Sequence, residues 1–168
     1  MVERPPAPAP VSVGNVLAGR WRLDAMLGAG GMAEVFRAVD LDSGRTVAVK
    51  VLRATLETSP EAIQRFRREG ELLVRLKNPA IVAADRIDAL PDGRLFIVME
   101  LLEGETFSAR LKRGPMSAAE LAPIVAGCAV ALAAAHAAGV VHRDLKPDNI
   151  FLVRRADGTE QVKLLDLG

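Results

Sequence analysis

The run His142-Arg143-Asp144-Leu145-Lys146-Pro147-Asp148-Asn149, followed by apolar Ile150-Phe151-Leu152, puts a carboxylate, a cation and an amide in one short loop. Asp144 and Asn149 are spaced so that the loop can present a carboxylate and an amide oxygen to the same cleft. Lys146 supplies a positive charge between them. Downstream, Val162-Lys163-Leu164-Leu165 is an apolar strand that delivers Asp166 just before Leu167-Gly168. An Asp-x-Gly triplet alone is only a turn signal; its place after the loop and one hairpin gives it meaning.

Upstream, Gly28-x-Gly30-Gly31-x-Ala33-x-Val35 is rich in residues without Cβ. Such a loop lets backbone N–H groups close on phosphates. Glycine clusters also open dinucleotide-binding folds, but those require a helix directly after the glycines. Here β-type residues follow, then a turn and another strand, as in a glycine-tipped hairpin. Lys50 ends the otherwise apolar run Val47-Ala48-Val49. Taken alone it reads as a solvated strand-end lysine, yet a cation at the edge of a core wants an anion. At about 100° per residue, Phe66, Leu72, Leu73 and Leu76 form one apolar helix face with Glu69 in its middle. Glu71 points nearly opposite, among Arg67 and Arg75. A carboxylate on the buried face needs a partner, and Lys50 is the natural one.

These residues require particular elements to hold them. Trp21-Arg22-Leu23, Val35 to Val39 and Thr46 to Leu52 read as three antiparallel strands, with the glycines in the first turn and Asp42-Ser43-Gly44 in the second. Ser59-Pro60-Glu61 starts a helix that runs to about Lys77, where Asn78-Pro79 stops it. Two further strands flank the turn Pro91-Asp92-Gly93, the second ending at Met99. Gly104 marks a joint, followed by a short helical stretch at Thr106 to Lys112. Ser117-Ala118-Ala119-Glu120 is a capping box opening a long helix that Gly139 closes. Short apolar strands around the Asp157-Gly158 turn complete the chain.

Composition narrows the function classes. Half of the 168 residues are hydrophobic, enough for a sizeable core, and 22 basic against 21 acidic residues leave a net charge of +1. Nucleic-acid and polybasic membrane surfaces need one-signed patches, so neither is expected. The lone Cys128 excludes an internal disulfide framework and a cysteine metal cluster, and its Ala-rich surroundings suit a small buried packing residue. The Pro-rich N-terminus has no apolar signal region and reads as a disordered leader over residues 1–14. The apolar stretch Leu121 to Val141 is broken by Pro123 and His136 and predicts a buried soluble helix rather than a membrane segment.

In motif order as well as content, residues 15–168 resemble the protein kinases of the Hanks type. Leu27-Gly28-Ala29-Gly30-Gly31-Met32-Ala33-Glu34-Val35 is most similar to bacterial Ser/Thr kinases, and Lys146 after Asp144-Leu145 is the Ser/Thr form. The resemblance implies an α+β protein-kinase fold. Residues 15–102 would form a complete N-lobe and hinge, with an antiparallel five-stranded sheet and one regulatory helix. Residues 103–168 would form the first part of a mainly helical C-lobe.

It also implies roles, with ATP and Mg²⁺ as cofactors and a Ser/Thr-bearing protein as substrate. Gly28, Gly30 and Gly31 would cover the phosphates, and Lys50, positioned by Glu69, would hold the α- and β-phosphates. Asp144 would orient the substrate hydroxyl and accept its proton, with Lys146 near the transferred phosphoryl. Asn149 and Asp166 would hold Mg²⁺. Adenine would lie among Leu27, Val35, Ala48 and Phe151, with backbone groups of Glu100 to Leu102 reading its edge behind Met99. His142 would pack and hydrogen-bond rather than act as an acid or base, and Leu167 would pack against His142 and Leu73. Ala33 departs from a third glycine and Leu167 from the usual Phe.

The chain stops at Gly168, before an activation segment or substrate-docking helices, so weak or no phosphotransfer by these residues alone and an exposed apolar patch on the long helix are expected. The expected location is cytoplasmic. A kinase-like nucleotide-binding or interaction module without phosphotransfer is the alternative, although Lys50, Glu69, Asp144, Asn149 and Asp166 are all intact. A small-molecule kinase is disfavoured by Arg143-Asp144-Leu145-Lys146-Pro147.

Overall fold

The computed structural model describes residues 10–56 and 59–167. The first nine residues of the expected leader and Gly168 lie outside the described residues. The chain forms two compact units: Met1–Gly70 with Asp85–Leu101, and Glu71–Ala84 with Leu102–Gly168.

In the first unit six strands form one sheet in the order β1-β2-β3-β4-β6-β5. They are β1 (Val16–Leu17), β2 (Trp21–Ala29), β3 (Ala33–Asp40), β4 (Thr46–Leu52), β5 (Ala84–Ala89) and β6 (Leu95–Glu100). The five long strands are those expected, and β1 adds a short sixth at the edge. The helix α1 (Pro60–Arg75) begins where Ser59 accepts from the Ala62 N–H at 3.3 Å. Leu76 donates to Leu72, so helical bonding runs almost to the Asn78-Pro79 stop.

Residues alternate along these strands between two apolar faces. One holds Leu23, Phe36, Ala38, Val47, Val49, Val51, Phe96 and Val98, all buried in one cluster with Trp21. Trp21 lies on β2 and Phe96 on β6, with two strands between them, yet their ring centroids are 5.4 Å apart, edge to face. A flat sheet would separate them by roughly 14 Å at the usual strand spacing. The sheet therefore curls and closes this face on itself.

The curl also explains a correction to the leader. Val11 is 8% exposed within the same cluster, Gly14 donates to the Leu23 carbonyl and Leu23 donates to that of Asn15. Residues 10–14 are thus ordered, because a curled sheet needs apolar side chains at its open edge and Val11 and Leu17 fill it. The adjoining corner is fixed by Arg20, which donates from Nε and Nη2 to the two carboxylate oxygens of Asp40 at 2.7 and 2.8 Å. Those bonds, with one from the Ser43 hydroxyl, hold the Asp40 carboxyl far below its ordinary value.

The second unit has a three-stranded sheet, β7 (Gly104–Thr106), β8 (Ile150–Arg154) and β9 (Glu160–Leu164), with two helices, α2 (Phe107–Leu111) and α3 (Ala118–Ala137). Gly104 opens β7: its φ is +146°, and a Cβ there would overlap the Leu152 carbonyl. Ser117 and Glu120 make the reciprocal capping box at the start of α3, and Gly139, at φ +76°, follows its end.

The helix α3 is not buried as its composition suggests, and it carries the exposed apolar patch expected of it. Only Ile124, Ala131 and Ala135 are buried, while Val125 and Val130 are each 64% exposed. The helix is apolar around its whole circumference and one sheet covers only one stripe of it. By length and composition alone it could cross a membrane. Cys128 on this helix is half-buried rather than buried, and burial pushes its thiol pKa up.

Candidate active site

In the first unit the motif residues share the sheet face opposite the Trp21 cluster. Val35 and Ile97 both pair with Lys50 across adjacent strands, and Ala48 pairs with Met99. Directly paired residues, and residues two apart on one strand, lie on the same side of a sheet. Lys50, Val35, Ala48, Ile97 and Met99 therefore form one surface, and α1 sits on it. The Lys50 Nζ donates to Glu69 Oε1 at 2.6 Å, and the two residues are 8% and 3% exposed. A buried carboxylate and ammonium are each costly to desolvate, and pairing at hydrogen-bond distance is what makes their burial tolerable. The pairing inferred from helical phase is thus formed.

Gly28 pairs with Val35, and the Gly30 N–H donates to the Ala33 carbonyl at 2.8 Å, closing the glycine hairpin. Leu27, Gly28, Gly30 and Gly31 are exposed there. Glu100 pairs with Val47 at the end of β6.

In the second unit the loop residues converge as a group. The Lys146 ammonium donates to Asp144 Oδ2 at 2.7 Å, both side chains about half exposed. That bond, with the nearby carboxylates of Asp148 and Asp166, raises the Lys146 pKa, so it stays charged throughout the neutral range. Asn149 is buried, and its Nδ2 donates to the Asp144 carbonyl at 2.8 Å, which leaves Oδ1 as an acceptor. The Leu165 N–H donates to the Asn149 carbonyl at 3.0 Å, tying the loop to the segment that carries Asp166. That main-chain bond carries no side-chain signature and was not legible in the sequence. The strand β9 is itself anchored, since Leu164 donates to the Ala80 carbonyl and accepts from the Val82 N–H. Phe151 and Leu102 are half-buried in this unit.

The donor set suits a hard cation. Asn149 Oδ1 and the Asp166 carboxylate could offer oxygen donors, and Mg²⁺ takes one or two such protein ligands with water and phosphate completing its shell. Among the described residues no group of three or more His, Cys, Asp or Glu forms a cage for another metal.

Two details differ from expectation. His142 is buried, as are Leu167 and Leu73, which suits packing. Both its ring nitrogens, however, lack a hydrogen-bond partner among the described residues, so the expected bonding role is not seen. A groove of about 250 Å³ in the second unit, lined by Ile124, Gly127, Leu152 and Val162 among others, contains none of the motif residues. Concavity there reflects the incomplete cover of α3 rather than the chemistry.

Comparison with known proteins places these features in a family. Residues 21–168 match the protein kinase domain. The chain is 40% identical over 157 residues to serine/threonine-protein kinase pkn3 of Myxococcus xanthus, covering 93% of this chain and 29% of that protein. It is 41% identical over 161 residues to serine/threonine-protein kinase PknA of Mycobacterium tuberculosis, covering 93% and 36% respectively. A crystal structure of the M. tuberculosis PknI kinase domain, a double mutant, superposes with a TM-score of 0.80 at 28% identity, over 94% of this chain and 61% of that one. The chain thus spans about a third of the length of these two curated relatives.

Proposed function

Because this chain belongs to the protein kinase domain family, we propose that it is the nucleotide-anchoring and catalytic-loop portion of a Ser/Thr protein kinase. The observation that carries the proposal is the buried 2.6 Å pair of Lys50 and Glu69, on the same sheet face as Val35, Ala48 and Met99. An ammonium held by a carboxylate at the edge of an apolar surface is equipped to grip the phosphates of a nucleotide whose base lies on that surface.

The substrate class is ATP with a protein Ser or Thr hydroxyl. In the transfer, the bond from the γ-phosphorus to the β,γ-bridging oxygen breaks and a bond to the hydroxyl oxygen forms. Asp144 would orient the hydroxyl and take its proton, and Lys146, held against Asp144, would add positive charge where the phosphoryl passes. Bound Mg²⁺ neutralises phosphate charge, and Asn149 and Asp166 are the residues that would hold it. Gly28, Gly30 and Gly31 would let backbone N–H groups approach the phosphates. Adenine would be read by backbone groups of Glu100 to Leu102. A reaction that draws on ATP would run in the cytoplasm.

Mg²⁺-dependent stabilisation by ATP tests this directly. At an ATP concentration about 100-fold above Kd, the folded state gains about 2.7 kcal/mol, readable as a thermal shift. Asp166→Asn should abolish the Mg²⁺-dependent part, and Lys50→Met should weaken ATP binding with or without metal. No shift at millimolar ATP would instead identify a kinase-like interaction module.

A further inference from the structure

We infer that Gly70 is a positioning residue for the Lys50–Glu69 pair, and that its missing side chain sets the distance between α1 and the sheet. The role in nucleotide binding rests on the function proposed above; the role in pairing does not.

Gly70 is buried in the interior of α1, where glycine is the least favourable residue after proline. A Cβ built there would lie 2.7 Å from Ile87 Cδ1, 3.0 Å from Ile97 Cγ1 and 3.1 Å from Ile97 Cδ1. Carbon atoms in good contact stand about 3.5–4.0 Å apart. The helix therefore approaches the sheet more closely than any residue with a side chain permits unless its neighbours move. Ile97 is the cross-strand partner of Lys50, on the same face of the sheet. The close approach at Gly70 and the ion pair at Glu69 are consequently adjacent contacts of one helix turn on the neighbouring strands β4, β6 and β5.

The pair has little slack. At 2.6 Å it is at the short end of charge-assisted hydrogen bonds. Moving α1 outward by about 1 Å, enough to restore ordinary carbon contacts, carries the oxygen beyond hydrogen-bond reach. A small substituent finds only partial relief, because Ile87 Cδ1 is the free end of a flexible side chain but Ile97 Cγ1 at 3.0 Å must still give. A branched substituent finds none, because fully buried Ile97 must move outright. Glycine at this position thus gives up helix propensity for a short helix–sheet distance, and Glu69 uses that distance.

Double-mutant cycles test the inference without nucleotide. Lys50→Met, Glu69→Gln and the double variant are unfolded in urea, first with Gly70 present and then with Gly70→Val. With Gly70, the two side chains should be coupled by about tenfold in the unfolding equilibrium constant, within the range for contacting residues. With Gly70→Val the coupling should fall below about twofold, and adding Ile87→Ala should restore part of it. If Gly70→Val does not fold, Gly70→Ala serves, with coupling reduced even though helix propensity favours alanine. Equal coupling in both backgrounds would overturn the inference and leave Gly70 a packing residue only.

ATP affinity of the same proteins separates the two proposals. Binding by the wild type that weakens about tenfold with Gly70→Val and recovers with Ile87→Ala supports both. Coupling lost on Gly70→Val in a wild type that binds no ATP supports the positioning role and sinks the nucleotide function. ATP binding and coupling both unchanged by Gly70→Val sink the positioning role and leave the nucleotide function standing.

Discussion

The helix α1 and the helix α3 stand in opposite relation to their sequences. The first carries Arg65, Arg67, Arg68 and Arg75 on exposed positions and buries only a narrow face, yet that face is locked to the sheet through Phe66, Glu69 and Gly70. The second is apolar nearly throughout, yet most of it is exposed. Apolar content therefore does not predict how firmly a helix is held. A helix with one apolar face specifies which side meets the sheet, whereas a helix apolar on every side specifies nothing, and only the available partner decides what is buried. Each helix has a glycine at which a Cβ would crowd a strand side chain, Gly70 against Ile87 and Ile97, and Gly127 against Val162. The first places a charged pair; the second only seats a helix on β9.

The largest effect should come from breaking the core of the first unit. Phe96 is fully buried and meets Trp21 edge to face inside the curl of the sheet. Phe96→Ala should cost about 3–5 kcal/mol of unfolding free energy. Trp21 is the single tryptophan and belongs to this unit, so its fluorescence during urea unfolding reports the loss locally. A cost below about 0.5 kcal/mol, the level of ordinary surface changes, would mean that the curl is not where this unit's stability resides.

That core also shows where the sequence was legible. The β-branched run Thr46 to Leu52 and the apolar run Leu95 to Met99 beside the Pro91-Asp92-Gly93 turn assigned the strands, and the phase of Glu69 against Phe66 and Leu73 predicted its burial and its bond to Lys50. The loop from His142 to Asn149 declared itself by residue identity alone. Curl was not legible, because it depends on contacts between strands that are not neighbours, such as Trp21 with Phe96. For the same reason Val11 read as leader: its Pro-rich neighbours dominate the local composition, and nothing near it in sequence reveals the open edge it fills. Gly70 has no explanation within its own segment, since the two isoleucines that crowd it are on strands further along the chain. Composition alone left α3 open, reading both as a buried helix and as the bearer of an exposed apolar patch, because an all-apolar helix looks the same whatever covers it.

A smaller effect, confined to the other unit, should follow from filling the glycine of α3. A Cβ at Gly127 would lie 2.7 Å from both Cβ and Cγ2 of Val162. Unlike the tip of Ile87, a Cβ cannot swing away without moving the strand. Gly127→Val should therefore destabilise the second unit by about 1–3 kcal/mol, the usual range for overpacking. Hydrogen exchange should quicken in α3 and β9, while the Trp21 unfolding transition keeps its midpoint. A matching fall in the Trp21 transition would show that the two units unfold together, and the contrast between their helices would then concern placement rather than stability.

The smallest effect on folding should come from the exposed side of α3. Val125 and Val130 are each 64% exposed, so replacing both with serine removes little buried area, and valine and serine have similar helix propensities. Val125→Ser with Val130→Ser should change unfolding free energy by no more than about 0.5 kcal/mol per site. Self-association is a separate matter, because contiguous exposed apolar surface drives molecules together without contributing to the fold of either. Sedimentation velocity across a concentration series should therefore show the double variant less associated than the parent at equal stability. If stability falls by more than about 1 kcal/mol per site, as for buried side chains, these valines are packed in solution, and α3 is held far more as α1 is than its exposure indicates.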